Sequence, residues 1–155
     1  MSGKAAASRV RRKFGSSDPR AIARKEGLEV VTAPLPERWW DILLWDCIAI
    51  RQELPPKWQR WCIAHCLGHH FMHHGNQLCL KERAELVSQR QRQEADAEVF
   101  AAWLLVPEEE LQGLREAEGD NLDGWKISEH FQVPHEMVPF RLGLSRNAYL
   151  RSIGW

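Results

Sequence analysis

The 155-residue sequence has no apolar run of about 18 or more residues, the length that a membrane-spanning helix requires. Its N-terminus also lacks the shorter apolar core of a secretory signal, so we expect neither a membrane span nor export. The net charge is zero, with 21 basic and 21 acidic residues, and global charge therefore favours neither nucleic acid nor a membrane surface as a partner. The length suits a single domain with one core.

Cysteines are also few: the chain has four, Cys47, Cys62, Cys66 and Cys79. They could form two disulfides in an oxidising compartment, but Cys62 and Cys66 lie one helical turn apart within a histidine-rich stretch. A reduced, cytoplasmic protein is the simpler interpretation.

That stretch, residues 61–75, holds five of the seven histidines. On a helical wheel its apolar residues surround most of the circumference, which predicts a buried helix. Pro55 and Pro56 precede it and Gly75 follows it, as start and stop signals. His65 and His69 are four residues apart, so both imidazoles project from the same side, as two ligands of one zinc ion require.

The usual zinc motif of this spacing is His-Glu-x-x-His, in which the glutamate accepts a proton from water activated by the metal. Here the glutamate position holds Cys66. A thiol is shorter than a carboxylate and, at an ordinary pKa of about 8.5, is mostly protonated at neutral pH. The metal-binding half of the motif is present, and the catalytic half is altered.

A second long helix is predicted from about Leu80 to Leu105, ended by Pro107. Its apolar stripe passes through Val99, Phe100, Trp103 and Leu104. Asp96 lies three residues before Val99 and four before Phe100, so it falls on the same stripe. A carboxylate on a core-facing stripe needs a partner, and a metal ion would be one.

The third zinc ligand is therefore predicted to be Asp96, with water in the fourth position. A closed structural site that uses Cys62 or Cys66 as a ligand remains an alternative. Glu94 and Glu98 lie about 200° from Asp96 on the wheel, so they are expected to face solvent or a neighbouring helix, and ordinary surface charge is the favoured interpretation of both.

The N-terminal part is predicted to begin with a flexible basic arm, residues 1–18, whose cations solubilise the chain or contact nucleic acid or an acidic partner. The domain would then span residues 19–155. Asp18 and Pro19 indicate the start of a short helix that stops at Gly27. Apolar runs at 28–32, 41–45 and 47–50 predict a small antiparallel sheet packed on the zinc helix, with a tight turn at Asp46.

The C-terminal part, residues 120–145, has the pattern of a helix-turn-helix unit. Its basic residues are balanced by acidic ones, and Pro139 would interrupt the second helix. Packing against the core is therefore favoured over DNA binding. His130 and His135 are interpreted as surface or capping residues.

Two segments together resemble the ImmA/IrrE-type family of intracellular zinc metallopeptidases. Residues 63–69 (IAHCLGH) are similar to the family's Ala-His-Glu-Leu-Gly-His, and residues 96–107 (DAEVFAAWLLVP) are similar to its second-helix block. The resemblance covers about residues 20–145. It implies an α+β, zincin-like single domain and three zinc ligands at His65, His69 and Asp96, with Cys66 in the position of the general base.

Members of that family cleave helix-turn-helix repressors, which derepresses mobile-element or stress-response genes. The resemblance therefore implies a protein substrate, with weak or no hydrolysis here because of Cys66. Two alternatives stay open: a non-catalytic zinc- and peptide-binding partner of a repressor or toxin–antitoxin-like protein, and a DNA-associated structural zinc protein. Direct nucleic-acid binding and membrane association are not expected, and the sequence leaves the oligomeric state open.

Overall fold

A computed structural model of the chain describes residues 1–73 and 84–144, and for residues 84–90 the backbone alone. The fold is α+β, as predicted, with a small sheet packed against helices. Up to Leu105 the elements are α1 (Gly3–Phe14), α2 (Pro19–Lys25), β1 (Glu29–Ala33), β2 (Asp41–Leu44), β3 (Cys47–Arg51), α3 (Pro56–Met72) and α4 (Ala84–Leu105). The predicted helix stop at Gly75, the predicted start near Leu80, and Cys79 lie outside the described residues.

Helix α1 corrects the prediction of a flexible arm. Ser2 caps its N-terminus by accepting a hydrogen bond from the Ala5 amide, and Gly15 ends it in the left-handed conformation at φ 64°. Its buried residues follow a helical period and pack against α4: Gly3, Ala6, Ala7 and Val10. The stripe escaped recognition because it consists mainly of alanine and glycine, which provide little hydrophobic signal but allow two helices to approach closely.

The opposite side of α1 is basic, with Arg9, Arg12 and Lys13 exposed.

The contact between α1 and α4 is so close that a Cβ atom on Gly3 would lie 2.6 Å from the carbonyl oxygen of Asp96. Lys4 extends over the Trp103 ring, 4.3 Å from its centroid. The N-terminal segment is therefore a structural part of the domain.

Helix α2 begins as predicted, with Asp18 accepting a hydrogen bond from the Arg20 amide at 3.1 Å and Pro19 in the first turn. It ends at Lys25, and Gly27 follows with φ 81°. This positive φ suits glycine, and it turns the chain into β1.

The sheet is mixed, which corrects the prediction of an antiparallel one. Its strand order is β1-β3-β2: β2 and β3 form an antiparallel hairpin around Trp45 and Asp46, whereas β1 pairs in parallel with β3. The chain reverses direction between β1 and β2 and again between β2 and β3, so β1 and β3 run in the same direction. In the part of the chain that the structure describes, β2 pairs on one side only.

Helix α3 is the central element. Pro56 occupies its first turn, and nine consecutive residues, from Trp61 to His69, are buried between the sheet and the other helices. Gly68 lies against α4, where a Cβ atom would be 3.0 Å from the Cα atom of Ala97. Among the described helices, none combines the length and apolar character needed to cross a membrane.

The C-terminal part consists of α5 (Glu108–Glu118), α6 (Gly124–Phe131) and α7 (Val138–Arg141), with single 3₁₀ turns before α6 and α7. It is packed on the domain: Arg141 is buried, donates to the Val106 carbonyl at 2.8 Å, and stacks on Trp103. The predicted helix-turn-helix unit is reduced, because Pro139 lies in the first turn of α7 and that helix has only four residues.

Candidate metal centre

Two buried histidines on α3 converge on one carboxylate of α4. Nε2 of His65 lies 3.0 Å from Oε2 of Glu94, and Nε2 of His69 lies 3.1 Å from Oε1 of the same side chain. The ligand atoms of all three lie within 4.8 Å of one another. Ligands of a tetrahedral zinc ion at 2.0–2.1 Å are separated by ~3.3 Å, so the spacing suits that ion.

Asp41, the first residue of β2, orients His65. Its Oδ2 lies 3.2 Å from Nδ1 of His65, which directs Nε2 towards Glu94. Burial alone would lower the pKa of His65, but the hydrogen bonds to Asp41 and Glu94 outweigh it and raise the pKa to about 10. A carboxylate that holds the second nitrogen of a metal-binding histidine is a common feature of zinc sites.

His69 has a nitrogen that lacks a hydrogen bond. Its side chain is 3% exposed, and Nε2, although near Glu94, is outside hydrogen-bond geometry and has no other hydrogen-bond partner among the described residues. Nδ1 instead lies 3.3 Å from Nδ1 of His73. An unsatisfied buried nitrogen is costly, and a metal ion between His69 and Glu94 would satisfy it.

Glu94 remains ionised in this environment. Its partial burial opposes ionisation, but the hydrogen bond with His65 and the nearby imidazole of His69 outweigh burial and hold the pKa of the carboxyl well below its usual range. Metals bind the ionised form of a carboxylate, so Glu94 is ready to act as a ligand.

Asp96 lies outside this cluster, contrary to the sequence prediction. Its side chain is 50% exposed, and its nearest histidine nitrogen is Nε2 of His73, at 4.0 Å. Two faces of α4 are packed against other helices. Ala97 and Phe100 lie next to Gly68 of α3, and Val99 lies next to Gly3 of α1. The predicted stripe included Val99, which rotated the predicted face of α4 towards α1 and placed Asp96 on it. Glu94 and Glu98 lie beside His65 of the neighbouring helix α3, which is one of the two positions expected for them, and both remain partly exposed.

A comparison with protein-family models identifies the family of the chain. The family model described as "IrrE N-terminal-like domain", of the Peptidase_M78 family, matches residues 23–143. The chain belongs to this family. No curated protein sequence matches the IrrE-like chain significantly.

Solved structures support the fold of this IrrE-like domain. A Mycobacterium tuberculosis transcriptional regulator superposes with a TM-score of 0.65 at 20% sequence identity, covering 93% of this chain. The IrrE-like chain spans 47% of that regulator's length. At this identity the similarity concerns the fold alone.

Cys66, in the position that the resemblance assigns to the general base of an IrrE-like enzyme, is a buried protonated thiol. Burial is the largest cause that raises its pKa well above the ordinary value, and the Asp41 carboxylate adds to it. Its sulfur groups with the Asp41 carboxylate and with His65, and not with the His69–Glu94 pair. Cys62 also has a raised pKa, first because of burial and then because of Asp41. Neither thiol resembles a proton acceptor.

Glu98 also lies near a histidine of this site, on the face of α4 that meets α3. Its Oε1 lies 3.8 Å from Nε2 of His65, and its Oε2 accepts a hydrogen bond from Nε1 of Trp61 at 3.1 Å. One sequence signal could have located both carboxylates. Glu94 and Glu98 are four residues apart and so share one face of α4, just as Trp61 and His65 share one face of α3.

Proposed function

We propose that this IrrE-like protein binds one zinc ion through His65, His69 and Glu94 and uses the site to recognise a protein partner, with little or no hydrolysis. The observation that supports it is the buried Nε2 of His69, which lacks a hydrogen bond and points at an ionised carboxylate shared with His65. Two imidazoles and a carboxylate are the ligand set of many zinc peptidases.

The reduced hydrolysis follows from position 66. Bound zinc would supply Lewis acidity, polarising a peptide carbonyl. The proton acceptor expected beside it is absent, because Cys66 is protonated and buried. Loss of a general base typically lowers a rate about 10²–10⁴-fold. The chain's own residues therefore support binding and orientation better than proton transfer.

The edge of the sheet next to the metal centre supports a peptide partner. β2 carries Asp41, which holds His65, and its outer side pairs with none of the described residues. An extended peptide could add to this edge as a further strand. Trp40 is 44% exposed, near the start of β2, and packs edge-on against Trp58 at 5.0 Å between centroids. The partner that the family resemblance suggests is a helix-turn-helix repressor.

Metal content tests the site. Purified native protein, prepared without chelators under reducing conditions, is expected to contain one zinc per chain by mass spectrometry. Glu94→Ala and His69→Ala are expected to lose it, because each removes one of three ligands. Asp96→Ala is the matched control, on the same helix and outside the cluster, and is expected to keep its zinc. Zinc loss in Asp96→Ala with retention in Glu94→Ala would reverse the assignment.

Partner recognition is tested by co-expression with helix-turn-helix repressors from the same organism. We expect a stable complex in size-exclusion chromatography and an intact repressor by mass spectrometry. Repressor fragments produced by the native chain, and not by Glu94→Ala, would refute the non-hydrolytic part of the proposal. Absence of any complex would refute the assigned partner.

A further inference from the structure

A cleft away from the metal centre is lined by hydrogen-bond donors. It lies where the first turns of α2 and α3 meet the end of α6, and its volume is about 310 Å³. Two prolines and five polar side chains line it, the polar ones being Arg20, Lys57, Gln59, Arg60 and Gln132. Three of these five are cations, and no carboxylate among the described residues lines the cleft.

The guanidinium group of Arg60 is only partly compensated. The Asp18 carboxylate pairs with it at 3.5 Å, which is longer than a charge-assisted hydrogen bond usually is. Nε of Arg60 is buried and has no hydrogen-bond partner among the described residues. Burial lowers the pKa of Arg60, and Asp18 offsets this effect only in part. An anion in the cleft would supply the missing compensation.

Lys57 and Arg20 provide further donors. Nζ of Lys57 binds Oγ of Ser128 at 3.1 Å and the carboxylate of Glu129, which leaves one of its three N–H groups for another acceptor. The Glu129 side chain is 70% exposed, and an ion pair with so exposed a carboxylate contributes little to stability. Arg20 is exposed on the first turn of α2 and adds a third cation with several N–H donors.

A phosphate group matches this lining. Its oxygens accept hydrogen bonds from several directions, and the planar fork of an arginine side chain suits it. Asp18 and Glu129 pair with two of the three cations from outside the lining, so the cleft keeps an excess of positive charge. Its volume lies at the lower end of the ~300–1,000 Å³ that small-molecule sites occupy, which leaves room for a small organic group beside the phosphate.

We propose that this cleft binds a phosphate group, either as the free ion or as part of a small organic phosphate, through Arg20, Lys57 and Arg60. The inference goes beyond the zinc site and does not depend on it, because none of the three proposed zinc ligands lines the cleft. The bound phosphate contacts the first turn of α3, the helix that also carries His65 and His69.

Calorimetric titration of the full chain with inorganic phosphate, at low ionic strength, tests the site. Native protein is expected to bind one phosphate per chain. Arg20→Gln is expected to raise the Kd on the order of 10–100-fold, because it removes a charge-assisted hydrogen bond. Arg24→Gln is the matched control: it removes the same charge from an exposed position one turn later on α2, outside the cleft, and is expected to bind phosphate as the native chain does.

Absence of saturable phosphate binding by the native protein would overturn the proposal. Equal weakening in Arg20→Gln and Arg24→Gln would overturn it as well, since the attraction would then be diffuse and not confined to the cleft.

Titration with glycerol 3-phosphate distinguishes the two sources of the phosphate group. Tighter binding of the ester than of inorganic phosphate assigns an organic phosphate to the cleft, and the reverse order assigns the free ion. Zinc content is expected to be the same in the native chain and in both arginine variants. Failure of the phosphate site and failure of the zinc site would therefore be recognised separately.

Discussion

Deletion of residues 1–15 is expected to abolish cooperative unfolding of the domain. The deletion removes the whole of α1 and uncovers the face of α4 against which Gly3, Ala6, Ala7 and Val10 are buried. Burial of apolar surface is worth about 25 cal/mol per Å², so the lost contacts amount to several kcal/mol out of a total stability of about 5–15 kcal/mol. Thermal denaturation followed by circular dichroism, together with dye binding to exposed apolar surface, measures the effect.

The matched control changes the charge of α1 and keeps its packing. Arg9→Ser combined with Arg12→Ser replaces two exposed side chains on the outer face of the helix, and its melting temperature is expected to stay within a few degrees of the native value. If residues 1–15 were a flexible arm, the deletion would be as harmless as this double substitution. That result would contradict the packed position of α1.

Gly68→Ala is expected to lower the free energy of unfolding by about 1–3 kcal/mol and to weaken metal binding at the same time. The added methyl carbon would lie 3.0 Å from the Cα atom and 3.1 Å from the carbonyl oxygen of Ala97, and backbone atoms cannot move aside as a flexible side chain can. The helices α3 and α4 would have to separate. That movement carries the histidines away from Glu94, because the two sides of the metal centre belong to different helices.

Gly113→Ala provides the opposite control. Gly113 is within α5, and nothing lies within 4 Å of the position of its added Cβ atom. Alanine there is expected to stabilise the protein by about 0.5–1 kcal/mol, because glycine is the poorer helix former. Urea denaturation and zinc titration of both variants measure the difference. Equal stability of the two variants would show that α3 and α4 are less close at Gly68 than described.

The helix that carries His65 and His69 was predictable because its signals are local. Pro56 at the start and the spacing of His65 and His69 depend on the chain's own sequence, and the structure places both histidines buried on one helix. Whether they bind metal is a prediction that the zinc measurement addresses. The α+β class was equally accessible, since the short apolar runs before Pro55 and the long helical segments after it differ in period.

The facing carboxylate was not predictable from α4 alone. The phase of that helix depends on which of its faces meets α3, and α1 covers a second face, so Val99 and Phe100 are both packed although they point in different directions. The sequence analysis therefore assigned Asp96 to the face that meets α3, whereas the structure has Glu94, two residues earlier, on that face. The parallel pairing of β1 with β3 escaped prediction for a related reason: it depends on the order of strands in space, which apolar periodicity does not encode.

The basic outer face of α1 means that a zero net charge describes this molecule poorly. Residues 1–27 contain eight lysines and arginines against two acidic residues, so the remainder of the chain carries the compensating excess of negative charge. Because α1 and α2 are folded, this charge is fixed in place and gives the domain a permanent electric dipole. An approaching acidic partner would be turned towards α1 and α2 before contact, and added salt would slow that encounter without altering the candidate metal centre.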